Sequence, residues 1–240
     1  MGPPLYADLG KQARDIFSKG YHFDLIKLDI KTKTPTGVEF ATGGTSQIES
    51  GKVFGTIESK YKFKDYGLLF SEKWNTNNVL STELSLTDFF PGTKISADCS
   101  FAPQTSSNCE YSLSTLFDFN PFSFIFSSFV SHENDSVFFF SNDGKEFGSS
   151  IYQKVSPKLE IGVDLAWFTE NNDTKLGIGL KYNLENNAAL KAKVDNQSRI
   201  GLGYSQTISP GVTIYLSTQL DGQNFNQGGH KLGFALDFDL

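Results

Sequence analysis

The 240-residue chain has no long hydrophobic run: no window holds the roughly 18 consecutive apolar residues that a membrane-spanning helix requires. This absence excludes a helical membrane protein. Histidine is also scarce, with three residues, and neither an H-x-x-x-H spacing nor a G-x-S-x-G elbow occurs. We therefore expect no enzyme, no cofactor and no metal site.

Cysteine and net positive charge are equally limited. The two cysteines, Cys99 and Cys109, lie in a chain without an export signal, so we expect free thiols rather than a disulfide. Lys and Arg total 21 against 27 Asp and Glu, which gives a net charge of −6. This acidic balance argues against a nucleic-acid partner.

The first segment has the pattern of a helix. Between residues 6 and 19, Leu9, Ala13, Ile16 and Phe17 recur at helical spacing, and charged residues fill the other faces. Gly20 follows directly and is a typical helix stop signal. Residues 1–20 are therefore predicted to be one short amphipathic helix with its hinge.

From residue 21 to residue 240 the hydrophobic period is two. In the first such unit Ile26, Leu28 and Ile30 alternate with Lys27, Asp29 and Lys31. Roughly sixteen units of about ten residues follow one another, the length at which a tilted strand crosses a bilayer. A soluble β-sandwich also alternates, but so many strands would need two cores and a linker, and no composition break marks one. The pattern favours an all-β transmembrane barrel.

Five short motifs carry a family resemblance. They are YADLGKQARD at residues 6–15, YGL and EKWNT at residues 66–68 and 72–76, SIYQKV at residues 150–155, IGLGY at residues 200–204 and GHKLG at residues 229–233. In this order they resemble the mitochondrial voltage-dependent anion channels, the eukaryotic porins. The resemblance covers residues 1–101 and 142–240.

The resemblance implies a transmembrane antiparallel β-barrel with the N-terminal helix in or near its lumen. Family barrels have about 19 strands, so together with the periodicity we expect about 16 to 19 strands. The chain is shorter than that number requires, and the shortage falls in the Phe-rich residues 101–142, a divergent or shortened region. Only Gly20 remains of the family's glycine-rich hinge, which implies a stiffer link.

The implied function is a voltage-gated diffusion pore of the mitochondrial outer membrane, passing ions and small metabolites such as ATP and ADP with weak anion preference. Two alternatives remain open: a shortened, non-conducting barrel that acts as a docking scaffold, and a barrel like that of the import translocase. The implied partners are outer-membrane lipids, nucleotides and metabolite anions as permeants, hexokinase, apoptosis regulators and a second copy of the chain.

The resemblance also implies individual site residues. Glu72 corresponds to the glutamate linked to hexokinase docking and calcium, and alternation places it on the apolar face, where a carboxylate is costly. Lys11 and Lys19 would contact ATP phosphates. A weak nicotinamide-dinucleotide site would comprise Arg199, Ile200, Gly201, Ser217, Thr218, Gln219, Leu220 and Asp221, although Arg199, Thr218 and Gln219 depart from the family pattern.

The last strand carries a further family feature. Residues 231–238 place Lys231, Gly233, Leu236 and Phe238 at the positions of the insertion signal of mitochondrial barrels. A plain alternating final strand would satisfy the same pattern. The signal is therefore an expectation that the resemblance supports and the spacing alone leaves open.

Overall fold

The computed structural model describes residues 11–63, 66–87, 93–103, 106–115, 125–130, 134–141, 146–169, 173–226 and 228–240. Within these ranges the chain forms one helix, α1 (Lys11–Ser18), and sixteen strands. The strands are β1 (Leu25–Lys33), β2 (Val38–Gln47), β3 (Val53–Phe63), β4 (Leu68–Asn75), β5 (Leu80–Thr87), β6 (Thr93–Ala102), β7 (Ser106–Thr115), β8 (Ile125–Val130), β9 (Asn134–Ser141), β10 (Glu146–Lys154), β11 (Leu159–Phe168), β12 (Asp173–Asn183), β13 (Ala188–Asp195), β14 (Arg199–Ser209), β15 (Val212–Asp221) and β16 (Lys231–Asp239).

Strands that follow one another along the chain pair with each other in two runs. Antiparallel pairing runs from β1 to β7 and again from β8 to β14. Short turns join the strands, and several contain residues with positive φ, such as Gly37 and Asn187. The predicted series of about sixteen alternating units is confirmed.

The chain divides into two compact units. The helix-bearing unit comprises residues 1–24, 119–208 and 214–234, and the β1–β7 unit comprises residues 25–118, 209–213 and 235–240. In the first, α1 contacts β10, β11, β12 and β13. No helix in the described ranges is long and apolar enough to cross a membrane.

The exposure of apolar side chains is the reverse of that in a water-soluble protein. Among the described residues the buried hydrophobic side chains are few, namely Ala13, Ile16, Tyr152, Ala188 and Ala235. Large apolar side chains are exposed instead, with Val53 at 73% and Leu232 at 68%. A sheet surface this apolar is stable in contact with lipid rather than with water. The exposed apolar face is therefore the membrane-facing side.

The expectation of free thiols is wrong. Cys99 of β6 and Cys109 of β7 are directly opposite in the antiparallel register, and Cys99 is disulfide-bonded. Directly opposite residues of two antiparallel strands have Cβ atoms about 4.5–5.5 Å apart, close to the separation that a disulfide needs. Sequence separation alone gave no sign of this pairing, which depends on the register of β6 and β7.

The Phe-rich interval 101–142 contains β7, β8 and β9. Phe126 and Phe129 lie on β8, and residues 138–140 lie on β9. The phenylalanines at positions 117, 119, 122 and 124 fall outside the described residues. Leu9 and the other residues before Lys11, in which the sequence predicts the start of the helix, also fall outside them.

Candidate functional site

The N-terminal helix is seated on glycines of the sheet. Ile16, which is 1% exposed, and its neighbour Phe17 face β11 and β12. A Cβ added at Gly179 would lie 2.8 Å from Ile16 Cγ2, and one added at Gly177 would lie 3.1 Å from Phe17 Cε1. A Cβ at Gly179 would force the Ile16 side chain to shift, and one at Gly177 would push the Phe17 ring by a few tenths of an ångström. The glycines therefore form a groove that admits the apolar face of α1.

Two lysines of β13 hold the C-terminal end of α1. Lys191 Nζ donates to the carbonyl oxygens of Asp15 and Lys19 at 3.1 and 2.9 Å, and Lys193 Nζ donates to that of Phe17 at 2.6 Å. The last carbonyls of a helix lack partners within the helix and carry its negative dipole end. A lysine ammonium supplies both a hydrogen-bond donor and a positive charge to these carbonyls. Each hydrogen bond to a charged group contributes about 1.5–3 kcal/mol of stability.

The connector between the helix and β1 packs around the same lysine. Lys193 Nζ lies 4.2 Å from the ring centroid of Tyr21 and 5.2 Å from that of Phe23, distances typical of cation–π contacts. Burial raises the pKa of the Tyr21 hydroxyl, so this side chain stays neutral beside the ammonium. Gly201 and Gly203 make room for these rings, because a Cβ at either position would crowd Phe23 or Tyr21.

Hydrogen bonds donated by two of its backbone amides fix the end of the connector. The His22 amide donates to Ser217 Oγ at 3.0 Å, and the Asp24 amide donates to the Leu232 carbonyl at 2.8 Å. Gly233 lies so close to the His22 carbonyl that a Cβ could not be accommodated. The helix and its connector are thus attached to the wall of the helix-bearing unit at several independent points.

One polar cavity, the helix cavity, lies beside α1. It has a volume of about 330 Å³. Its charged and phenolic lining comprises Asp15, Lys19, Lys181, Lys191, Glu160, Tyr152, Tyr204 and Tyr215. Of the two lysines expected to contact ATP, Lys19 lines this cavity, whereas Lys11 is exposed at the start of the helix. Lys181 and Lys191 were not singled out as ligands from the sequence, although alternation along β13 puts Lys191 on the polar face.

A second cavity, the arginine cavity, has a volume of about 290 Å³. It brings together Arg199, Gly201 and Gln219 from the expected dinucleotide set, with Lys193 and Phe23. Alternation along β14 and β15 turns Ile200, Thr218 and Leu220 to the opposite, apolar face. The remaining two residues of the set make hydrogen bonds within the protein. Ser217 Oγ accepts a hydrogen bond from the His22 amide, and Asp221 Oδ1 accepts hydrogen bonds from the amides of Gln223 and Asn224.

Glu72 lies in the middle of β4, opposite Ser59 of β3 and Thr82 of β5. Its neighbours Ser71 and Lys73 line a polar cavity with Glu58, and Ser71 Oγ donates to Glu58 Oε1 at 3.3 Å. Because side chains alternate along a strand, Glu72 shares the other face with Phe70 and with Trp74, which is 54% exposed. This is the face that the sequence predicted.

The four residues of the expected insertion signal lie on β16. Lys231 and Gly233 are on the polar face, and Leu236 and Phe238 are on the apolar face with Leu232, as the period of two requires. The structure gives Gly233 a second role that the sequence did not indicate, because its missing side chain leaves room for the His22 carbonyl.

Ion pairs run along the polar face. Lys27 pairs with Asp29 at 2.5 Å, Lys60 with Glu58 at 2.9 Å, and Lys181 with Glu160 at 3.0 Å. These charges alternate with exposed apolar residues on the same strands, so the sheet has one hydrated face and one lipid-compatible face. An antiparallel sheet of this kind, with a helix seated on its charged face, defines a porin-type membrane protein.

The family model described as Eukaryotic porin matches residues 2–134 and 113–233. The chain belongs to this family. It is 45% identical over 279 aligned positions to the non-selective voltage-gated ion channel VDAC2 of Xenopus laevis, with 99% of each chain covered. It is 43% identical to the voltage-dependent anion-selective channel of Drosophila melanogaster over 281 positions, with 100% of each covered, and 42% identical to VDAC1 of Homo sapiens over 278 positions, with 98% of each covered.

Family membership confirms the resemblance drawn from the five motifs and the predicted class, a transmembrane antiparallel β-barrel. Porins are channels and not enzymes, which confirms the prediction that the chain is no enzyme. The alignments span more positions than the 240 residues of the chain, so the relatives contain segments without a counterpart here. This agrees with the expected shortage of residues.

Proposed function

We propose that the chain is a voltage-gated diffusion pore of the mitochondrial outer membrane that passes ions and small metabolites such as ATP and ADP. The observation that carries the proposal is the sorting of side chains, with apolar residues exposed on one face and ion pairs on the other. The names of the relatives describe voltage-gated channels, and their similarity extends over nearly the whole chain. Transport through such a pore needs no energy source beyond the gradient.

A planar-bilayer recording of the purified full chain tests the pore. Discrete conductance steps that close at high voltage of either sign support the proposal. Correctly inserted protein that stays silent supports instead the alternative of a non-conducting docking scaffold. Insertion is checked independently by resistance of the strands to protease in liposomes, so that failed reconstitution is not mistaken for a closed barrel.

The ion selectivity of the pore is expected to be a weak preference for anions. The chain is acidic overall, with a net charge of −6, but polar-face acids such as Asp29, Glu58 and Glu160 are paired with lysines. Pairing leaves a small net field, so neither sign of counter-ion is strongly enriched. The measurement is the reversal potential under a KCl gradient, which should shrink at high salt because of screening. A strong anion preference would contradict this expectation.

Nucleotide contacts are proposed for both cavities of the helix-bearing unit. Lys19, with Lys181 and Lys191, offers ammonium groups to the phosphates of passing ATP in the helix cavity. Arg199, Gly201 and Gln219 are the part of the expected dinucleotide set that shares one cavity, with Lys193 beside them. Cationic side chains around a water-filled cavity are suited to polyphosphate recognition. Lys11 contributes at the start of the helix, outside the helix cavity.

Glu72 is proposed as the residue that links the pore to hexokinase and calcium. Replacing it with Gln is expected to leave single-channel conductance unchanged, because the side chain lies on the face opposite the polar cavity of Ser71 and Lys73. The same change should weaken hexokinase association or calcium sensitivity, since it removes the negative charge of the Glu72 side chain. Glu185→Gln, at an exposed turn where Glu185 pairs with Lys158 at 3.2 Å, is the matched control. Equal partner responses in both variants would remove Glu72 from the site.

The remaining family features complete the proposal. Lys231, Gly233, Leu236 and Phe238 would direct insertion of the barrel, and apoptosis regulators and a second copy of the chain are the proposed protein partners. Their support is the resemblance and the position of β16. Membrane lipids and small permeants follow from family membership itself.

A further inference from the structure

A cleft of about 490 Å³ separates the tips of two neighbouring hairpins in the β1–β7 unit. One tip is the β1–β2 turn, where Thr34 Oγ1 donates to the Val38 carbonyl at 3.1 Å and accepts the Val38 amide at 3.0 Å. The other is the β3–β4 turn, where the Tyr66 amide donates to the Phe63 carbonyl at 3.4 Å. Because β2 pairs with β3, the two tips are adjacent. We call this space the tip cleft.

The hydrated side of the tip cleft is basic. Among the residues that the structure describes, Lys33, Lys60 and Lys62 line it, with Glu39 as the acid. Lys33 bonds to Glu39 at 2.6 Å, and Lys60 bonds to Glu58 at 2.9 Å. An ammonium group has three N–H donors, so each lysine retains donors after these pairs form. The cleft can therefore offer several cationic donors to an anion.

The other side of the tip cleft is aromatic. Tyr61, Phe63 and Tyr66 line it, and the rings of Tyr61 and Phe63 meet edge to face with centroids 4.5 Å apart. Tyr66 is 76% exposed and Phe63 is 40% exposed. Exposed aromatic residues at the ends of membrane strands mark the headgroup level of the bilayer. Long lysine side chains at the same level reach into the headgroup layer.

An adjoining cavity lacks this excess of lysine. That cavity shares Lys33, Glu39 and Lys60 but adds Lys31, Glu58 and Asp239, so its lysines and acids are equal in number. An anion gains little there, because the three carboxylates offset the charge of the three lysines. Of these two adjoining cavities, the one that the aromatic rings border has the excess of lysine.

We propose that the tip cleft binds the phosphate headgroup of an anionic phospholipid. Lys33, Lys60 and Lys62 would donate to the phosphate oxygens, and the rings of Phe63 and Tyr66 would pack against the start of the acyl chains. The proposal rests on the membrane assignment of the chain and goes beyond conduction. A lipid fits the tip cleft better than a soluble anion does. Its phosphate is complementary to the lysines, and its acyl chains can pack against the aromatic rings, whereas a soluble anion has no apolar part that could do so.

The test counts lipids bound to the full-length protein in detergent by native mass spectrometry. Phosphatidylglycerol is expected to bind at least about fivefold more tightly than phosphatidylcholine, because one exposed lysine near a membrane surface contributes about that factor. Lys62→Gln should reduce phosphatidylglycerol binding about fivefold and Lys60→Gln with Lys62→Gln about thirtyfold. Lys62→Arg should retain binding. Lys52→Gln, an exposed lysine before β3 at the opposite end of the strand, is the matched control and should have no effect.

Three results would overturn the proposal. The first is equal binding of phosphatidylglycerol and phosphatidylcholine, and the second is equal loss in Lys52→Gln and Lys62→Gln. The third is displacement of the lipid by an equal concentration of inorganic phosphate, which would make the cleft a site for free anions. Conductance of the same variants in planar bilayers is recorded in parallel, so that a failed lipid site is distinguished from a failed pore.

Discussion

Replacing Ile16 with alanine is expected to release the N-terminal helix from its groove. Ile16 is 1% exposed and contacts Gly162 and Gly179 of the wall. Loss of a buried isoleucine side chain typically costs 2–5 kcal/mol, and 1.4 kcal/mol is a factor of ten in population. The undocked population should therefore rise about thirtyfold or more.

Limited trypsin digestion of the protein in liposomes measures this release. The helix itself carries cleavage sites after Lys11 and Arg14, and Lys19 follows it. When opening is fast relative to cleavage, the cleavage rate follows the open population. Ile26→Ala makes the same chemical change at a side chain that is 51% exposed on β1, and it should leave the rate unchanged. Unchanged protection in Ile16→Ala would show that Lys191 and Lys193 suffice to hold the helix.

Replacing Gly233 with alanine is expected to displace the connector between the helix and β1. The added Cβ would overlap the His22 carbonyl and crowd Ser217 Oγ. Overpacking of this kind costs about 1–3 kcal/mol when neighbours shift, and here one neighbour is backbone, which gives way least easily. The bond from the His22 amide to Ser217 Oγ, 3.0 Å long, should weaken or break.

Amide hydrogen exchange at His22 and Asp24 reports the displacement, and we expect both to exchange about tenfold faster or more. Gly44→Ala is the matched control, because no atom lies within 4 Å of a Cβ added there. Refolding in detergent, without import machinery, separates the connector effect from any loss of the insertion signal to which Gly233 also belongs. Identical exchange in the Gly233 and Gly44 variants would mean that β16 shifts to accept the new side chain.

The contacts of the helix explain why the candidate site was only partly predictable. Lys191 and Lys193 are separated by 176 residues from the carbonyls of Asp15 and Phe17 to which they donate. Alternation along β13 puts both lysines on the polar face, because alternation is a local property, but no local pattern indicates which lysine meets the helix. Ser217 and His22 are 195 residues apart, and their hydrogen bond could not be predicted from the sequence either.

The expected dinucleotide residues also show that residues close in sequence need not share a site. A linear match treats Arg199, Ile200 and Gly201 as a set, yet a strand turns Ile200 away from the other two. Three residues of the larger set reach one cavity, and the cavity is completed by Phe23 and Lys193 from elsewhere in the chain. Membership in a cavity depends on the pairing of strands and not on proximity in sequence.

The sequence by itself determined the all-β class, the apolar and polar faces of the strands, and the buried face of the helix with Ala13 and Ile16. These features follow from periodicity, which the side-chain geometry of a strand or helix fixes locally. Only the tertiary structure decided which wall receives the helix, how Cys99 is bonded and where lysines gather in the tip cleft. Those outcomes depend on strand register, because register alone sets which residues of distant segments lie opposite one another.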